Sequence, residues 1–173
     1  EDMYDRTVTV NGLSKAFSMT GWRIGFIGAP EYIARACNKM QGQVTSGANC
    51  IGQKAAVTAL ENSPSKIQYM IDAFEERRGL ILGLLAEIDG IKINKPQGAF
   101  YVFPDISFYF GKTLRGTIIN SATDFSLYLL ENAKVATVTG EAFGEPNCIR
   151  ISYAASNDDI TKAMQQIKEV LTS

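Results

Sequence analysis

The 173-residue chain contains no histidine. Ser-His and Cys-His nucleophile pairs are therefore excluded within it, and so are histidine-rich metal sites. Acid–base chemistry performed by this chain has to use Lys, Tyr, Asp, Glu or Cys. Cysteine is scarce: Cys37, Cys50 and Cys148 lie far apart, with no Cys-x-x-Cys spacing. An odd, scattered set fits neither a disulfide framework nor zinc, and no metal site is expected. Such thiols are ordinarily buried small hydrophobes of a reducing compartment, so burial of all three and a cytoplasmic location are expected. An excess of one charge is missing too. The net charge of −1 offers no basic field for nucleic acid and no polybasic patch for a membrane. No apolar run approaches the roughly 20 residues that a membrane-spanning helix needs. The opening Glu1-Asp2-Met3-Tyr4-Asp5-Arg6 has neither the basic region nor the apolar stretch of a signal peptide.

What is present is an ordinary globular composition, 46% hydrophobic and 20% charged, enough for one core or for one domain plus part of another. Residues 6–10 are β-branched and alternating, which predicts a strand. Residues 11–21 are rich in small polar types and predict a loop, and 22–28 predict a second strand. Pro30 is placed to open a helix over 31–39. Residues 41–49 lack periodicity and are expected to be loop or helix approach, before an alanine-rich helix over 53–60. Ser63-Pro64 is a helix start. Ile67, Ile71, Phe74, Ile81, Leu85 and Ile88 then mark one face of a long helix to about residue 90, along which the domain boundary is placed. Beyond it, 91–94, 99–103 and 135–138 predict short strands. Ser121 with Asp124 predicts a capped helix through about 132. Cys148 to Tyr153 alternates, burying Ile149, Ile151 and Tyr153 and turning Arg150 and Ser152 to the other face. Ser156 and Asp159 cap a last helix with the stripe Ile160, Met164, Ile167 and Leu171. Strands and helices in this mixture predict an α/β or α+β sheet with helical cover.

A lysine is ordinarily a solvated surface charge. Lys15 is distinguished by its place, in a loop of small residues after a strand, where catalytic groups are commonly presented. Ser14, Ser18 and Thr20 supply hydroxyls around it, and Arg23 follows in the same segment. An amine able to form an imine, beside an arginine and hydroxyls able to hold a phosphate, suits a phosphorylated aldehyde.

The stretch Ser14-Lys15-Ala16-Phe17-Ser18-Met19-Thr20-Gly21-Trp22-Arg23-Ile24-Gly25 resembles the pyridoxal-phosphate lysine signature of class I/II aminotransferases, in its aspartate aminotransferase form. Pro96-Gln97-Gly98-Ala99-Phe100-Tyr101 is similar to a second family segment. Gly140-Glu141-Ala142-Phe143-Gly144, followed by Ile149-Arg150-Ile151-Ser152-Tyr153-Ala154, is similar to its C-terminal signature. The resemblance implies pyridoxal 5′-phosphate as cofactor, held by Lys15 as a Schiff base, with Arg23 clamping the phosphate and Ser14 adding a hydroxyl. It implies that Arg150 binds the substrate α-carboxylate. Phe100 and Tyr101 are as well explained by the core as by substrate. Amino acid and 2-oxo acid substrates, aspartate first, and a homodimeric full-length enzyme are the implied partners.

The implied fold is the C-terminal part of a fold-type I transferase. Residues 1–62 are the end of the large cofactor domain, 63–90 a long linking helix, and 91–173 most of the small α+β domain. Two departures stand out: Thr139 replaces a usual proline, and Ser46-Gly47-Ala48-Asn49-Cys50 replaces a Ser-Asn-Pro-Thr-like run. The family's partner for the pyridine nitrogen, its ring-stacking aromatic and its glycine-rich phosphate turn lie upstream of the lysine and are not in this sequence. The isolated chain is therefore expected to be inactive, with bare apolar surface on 1–62. β-Lyases of the same fold, and a folded fragment without catalysis, are the alternative readings.

Overall fold

A computed structural model describes residues 2–62 and 64–172, which form two compact units, Glu1–Gln68 and Tyr69–Ser173. No helix among the described residues is long and apolar enough to cross a membrane.

In the first unit, β1 (Thr9–Gly12) pairs antiparallel with β2 (Gly25–Gly28), in a register setting Thr9 opposite Gly28 and Gly12 opposite Gly25. The strand starts later than its β-branched run suggests. Tyr4–Arg6 forms a 3₁₀ turn instead, closed by the Thr7 N–H to the Tyr4 carbonyl at 3.1 Å and the Thr7 hydroxyl to the Met3 carbonyl at 2.6 Å. Helix α1 (Glu31–Val44) follows Pro30 and continues past residue 39, to where the Thr45 N–H closes on the Gln41 carbonyl at 2.8 Å. None of its residues is buried, although Ile33, Cys37, Met40 and Val44 fall at helical spacing along it, so the periodicity over residues 41–44 continues the helix where a loop was expected. Helix α2 (Cys50–Glu61) starts at Asn49, whose side chain accepts the Gly52 N–H at 2.5 Å. This unit has a small core, Leu13, Met19, Ile24 and Ala56, with Phe17, Ala55 and Ala59 against it. Val10, Val44 and Ile51 are each more than 70% exposed, the bare apolar surface expected of residues 1–62. Cys37 and Cys50 are exposed as well, against the burial expected of them, because the helices that carry them pack on little, whereas Cys148 of the second unit is buried.

The second unit begins at Tyr69, one residue into α3 (Gln68–Ala86), which follows a 3₁₀ turn over Pro64–Ile67. The Ser63 cap expected there lies outside the described residues. Only the later part of the expected stripe is buried: Ile81, Leu85 and Ile88 are, whereas Ile71 is half exposed. Three short strands form an antiparallel sheet with β7 (Ile149–Ser152) between β3 (Tyr101–Val102) and β6 (Val138–Thr139). Residues 91–94 contribute a single bridge, Lys92 to Asp105, rather than a strand. A hairpin, β4 (Lys112–Leu114) with β5 (Thr117–Ile119), turns at Arg115-Gly116, both at positive φ. Helix α4 (Ala122–Tyr128) begins as expected, with the Ser121 hydroxyl accepting the Asp124 N–H at 3.1 Å. The Asp124 carboxylate reaches one residue further back, to the Asn120 N–H at 3.0 Å. The helix continues as a wider turn over Leu129–Ala133.

Helix α5 (Asn157–Leu171) is capped by the Ser156 hydroxyl, which accepts the Asp159 N–H at 3.1 Å. It buries Ile160, Met164, Ile167 and Val170. These meet Ile81 and Leu85 of α3, Phe125 and Tyr128 of α4, and Val102, Ile149 and Ile151 of the sheet in one core. Full burial of each such side chain is worth about 1.5–3 kcal/mol, so this unit is held by its interior while the first is thinly packed.

Candidate functional site

Ser14, Lys15 and Arg23 share the loop that leaves β1 and returns into β2. Its two ends are tied together by the ladder, and just beyond it the Leu13 N–H donates to the Ile24 carbonyl at 3.3 Å. Leu13 and Ile24 are buried, as is Met19 midway, so three apolar anchors hold the loop while its polar residues face outward. Between anchors the chain turns tightly: Phe17 N–H to the Leu13 carbonyl at 3.2 Å, and Ser18 N–H to the Lys15 carbonyl at 3.3 Å. Lys15 is exposed on this turn. Arg23 has left-handed backbone (φ 55°), and its guanidinium donates to the Thr20 carbonyl at 2.9 Å. One fork of the guanidinium is thus fixed locally while the group stays exposed.

The departure over residues 46–50 has a local structural role. Asn49 caps α2 and also donates from Nδ2 to the Trp22 carbonyl at 3.2 Å, joining the helix start to the lysine loop. Gly52 allows this: a Cβ there would stand 2.8 Å from the Asn49 amide and 2.9 Å from Ile24 Cδ1. No motif marked Asn49; a cap three residues before a glycine is the signal that could have found it.

Arg150 belongs to the second unit, on the middle strand of its sheet. The alternation holds: Ile149 and Ile151 are buried, Arg150 and Ser152 lie on the other face. Register adds neighbours. Tyr101 pairs with Ser152, which puts its ring on the Arg150 face. The Arg150 Cζ lies over the Tyr101 ring, 4.3 Å from its centroid, and over the Phe143 ring at 4.4 Å. Phe143 comes from a 3₁₀ turn over Gly140–Phe143, pinned by the Gly140 N–H to the Cys148 carbonyl at 2.7 Å and by Thr123 Oγ1 donating to the Glu141 carboxylate at 3.3 Å. Among the described residues the Arg150 guanidinium has no ion pair and no hydrogen bond. A half-buried planar cation with open donors is suited to a planar carboxylate or phosphate.

The family model for aminotransferase class I and II matches residues 1–167. This chain belongs to that family. A bifunctional aspartate aminotransferase and glutamate/aspartate-prephenate aminotransferase of Petunia hybrida is 49% identical over 175 residues, covering 99% of this chain and 36% of the relative. An aspartate aminotransferase of Rhizobium meliloti (strain 1021) is 43% identical over 164 residues, 94% of this chain and 40% of its own length. Among solved structures, the aspartate aminotransferase from Rhizobium meliloti matches with a TM-score of 0.94 at 41% identity, covering 98% of this chain and 42% of that one. An aromatic aminotransferase from Pyrococcus horikoshii matches at 0.87 and 36% identity, with 99% and 44% covered. The chain thus spans about two-fifths of the length of these aminotransferases, and its fold is that of part of a fold-type I enzyme. Thr139, where the aminotransferase pattern has proline, has φ −57°, a proline-like value. Its buried hydroxyl has no hydrogen-bond partner among the described residues.

Proposed function

We propose that this chain is the C-terminal part of an aminotransferase that moves an amino group between an amino acid, aspartate first, and a 2-oxo acid, using pyridoxal 5′-phosphate. The observation that carries the proposal is the β1–β2 loop, where buried anchors present an amine, a guanidinium and hydroxyls together. That donor set fits the cofactor: a primary amine condenses with an aldehyde, and guanidinium and hydroxyl groups hold a phosphate. Lys15 is assigned the aldehyde, Arg23 and Ser14 the phosphate. When bound, the cofactor supplies a sink for the electron pair left on the substrate α-carbon. With the cofactor held, Lys15 Nζ as a free amine would accept the proton of that carbon and later return it. Arg150 holds the α-carboxylate through two parallel N–H···O bonds, which orients the Cα–H bond for its removal.

In the same reading, residues 1–62 are the remnant of the large cofactor domain, 63–90 the linking helix and 91–173 the small domain. The division of compact units at Gln68–Tyr69 supports a boundary in the linking segment. The full-length enzyme is a cytoplasmic homodimer acting on small amino and oxo acids.

Borohydride reduction of the full-length protein with pyridoxal phosphate tests the assignment. The expected product is a phosphopyridoxyl group on Lys15, located by peptide mass mapping; an adduct confined to other lysines overturns it. Transfer from aspartate to 2-oxoglutarate is expected of the reduced protein's untreated counterpart, and release of pyruvate and ammonia instead would mark a β-lyase. The isolated 173-residue chain is expected to show no turnover with added cofactor, because the family's pyridine-nitrogen partner and stacking aromatic lie upstream of the lysine.

A further inference from the structure

We infer that Tyr101 and Phe143 are positioning residues for Arg150, holding its guanidinium against two aromatic rings so that its N–H groups stay open for the carboxylate of a bound substrate. The inference rests on the assignment of Arg150 to a carboxylate and goes beyond it. An arginine can be held in place by a salt bridge or by hydrogen bonds, and either occupies the donors that a ligand needs. Arg150 is held otherwise. Its Cζ lies 4.3 Å from the Tyr101 centroid and 4.4 Å from that of Phe143, well inside the roughly 6 Å range of cation–π attraction. That attraction takes up no carboxylate or hydrogen-bond acceptor: among the described residues none of the five guanidinium N–H groups is engaged by one, so they remain available to a ligand.

Each ring has an aromatic neighbour of its own, although Phe143 is 49% exposed. Phe143 meets Phe103 edge-on, at 6.0 Å and 88°. Tyr101 packs on Phe100 at 4.5 Å, and Phe100 on Phe74 at 6.0 Å. The chain of contacts runs from α3 through β3 to Arg150 and on through the turn after β6, so the cation is braced from two elements. The Tyr101 hydroxyl has no part in this; the ring does the work. A flexible side chain that is already ordered loses less freedom on binding, and this lowers the substrate concentration needed for saturation.

The test uses two readouts. In the ¹⁵N-labelled 173-residue chain, the Arg150 Nε–H signal, assigned by its disappearance in Arg150→Lys, is expected at a ring-shifted position. Tyr101→Leu and Phe143→Leu are each expected to move it toward that of a solvated arginine, whereas Tyr101→Phe and Phe143→Tyr leave it in place. In the full-length enzyme, Tyr101→Leu is expected to raise KM for amino and oxo acid about tenfold, the scale of one partly desolvated cation–π contact, with kcat changed much less. Tyr101→Phe restores KM, which a loss of folding or of the hydroxyl would not explain. If Tyr101→Leu and Tyr101→Phe behave alike in both readouts, the inference is overturned. If Arg150→Lys raises KM and neither leucine variant does, the bracing fails while the carboxylate assignment stands. If Arg150→Lys leaves KM unchanged, the assignment itself fails, and the inference with it.

Discussion

Gly140→Ala isolates the steric demand of the turn that carries Phe143. A Cβ at Gly140 would stand 2.2 Å from the Glu145 carbonyl oxygen and 2.4 Å from that of Cys148, about 1 Å closer than carbon and oxygen ordinarily approach. Both obstacles are backbone. The Glu145 N–H donates to the Gly140 carbonyl at 3.1 Å, and the Gly140 N–H to the Cys148 carbonyl at 2.7 Å. Relief therefore requires opening the turn against β7 and weakening two backbone hydrogen bonds, each worth about 1 kcal/mol net. Overpacking of this kind costs about 1–3 kcal/mol besides, for a total of roughly 3–5 kcal/mol. Gly144, in the same segment, is the contrast. It has φ +80° with nothing within 4 Å of an added Cβ, so Gly144→Ala meets only the left-handed backbone penalty of about 1 kcal/mol. Urea denaturation followed by near-ultraviolet tyrosine signals suits the comparison, because Tyr69, Tyr101, Tyr109, Tyr128 and Tyr153 all lie in the second unit. Gly140→Ala is expected to lose at least twice the stability lost by Gly144→Ala. A loss from Gly140→Ala below about 1 kcal/mol, or the reverse order of the two, would refute the steric reasoning.

Three other outcomes follow from single sites. Thr139→Val keeps the shape and removes a buried hydroxyl without a partner among the described residues, so it is expected to stabilise the second unit by about 1 kcal/mol; a destabilised variant in the same urea assay would count against it. Asn49→Ala removes the cap of α2 and the contact to Trp22, at a cost of about 1–2 kcal/mol. Asn49→Asp keeps the cap acceptor and loses only the donor, so fluorescence-monitored unfolding at Trp22, the single tryptophan, should rank it between the two. Burial, helped by the Asp89 carboxylate, pushes the Tyr109 phenol up to about 12. The unfolded phenol ionises near 10, so this contribution is full below pH 10 and is lost as pH rises toward 12. The loss amounts to about 2–3 kcal/mol. Tyr128 and Tyr153, raised by burial as well, deepen the fall. Tyr109→Phe should flatten it, and equal pH slopes for parent and variant would contradict the assignment.

Local rules were sufficient where a residue's partner lies within one turn or one strand. Ser121 and Ser156 cap their helices through N–H groups three residues on, and the alternation of β7 placed Arg150 and Ser152 on one face without reference to any other strand. The loop between β1 and β2 was legible for the same reason, since the residues proposed to act there lie close together in sequence. The hairpin over Lys112–Ile119 was not, although Arg115-Gly116 is its signal, because strands of three residues have too few positions to display a period. The end of α1 was missed because Gln41, Gly42 and Gln43 interrupt the apolar residues, although Met40 and Val44 keep the helical spacing. The surroundings of Arg150 could not be read from the chain at all. Tyr101 reaches it through the pairing of β3 with β7, and Phe143 through a turn pinned to Cys148. Composition and spacing determined which residue types are available for the chemistry. Only tertiary structure decided that this arginine would be held by rings rather than by a carboxylate, because register between distant strands is set by the packing of the whole sheet on its core.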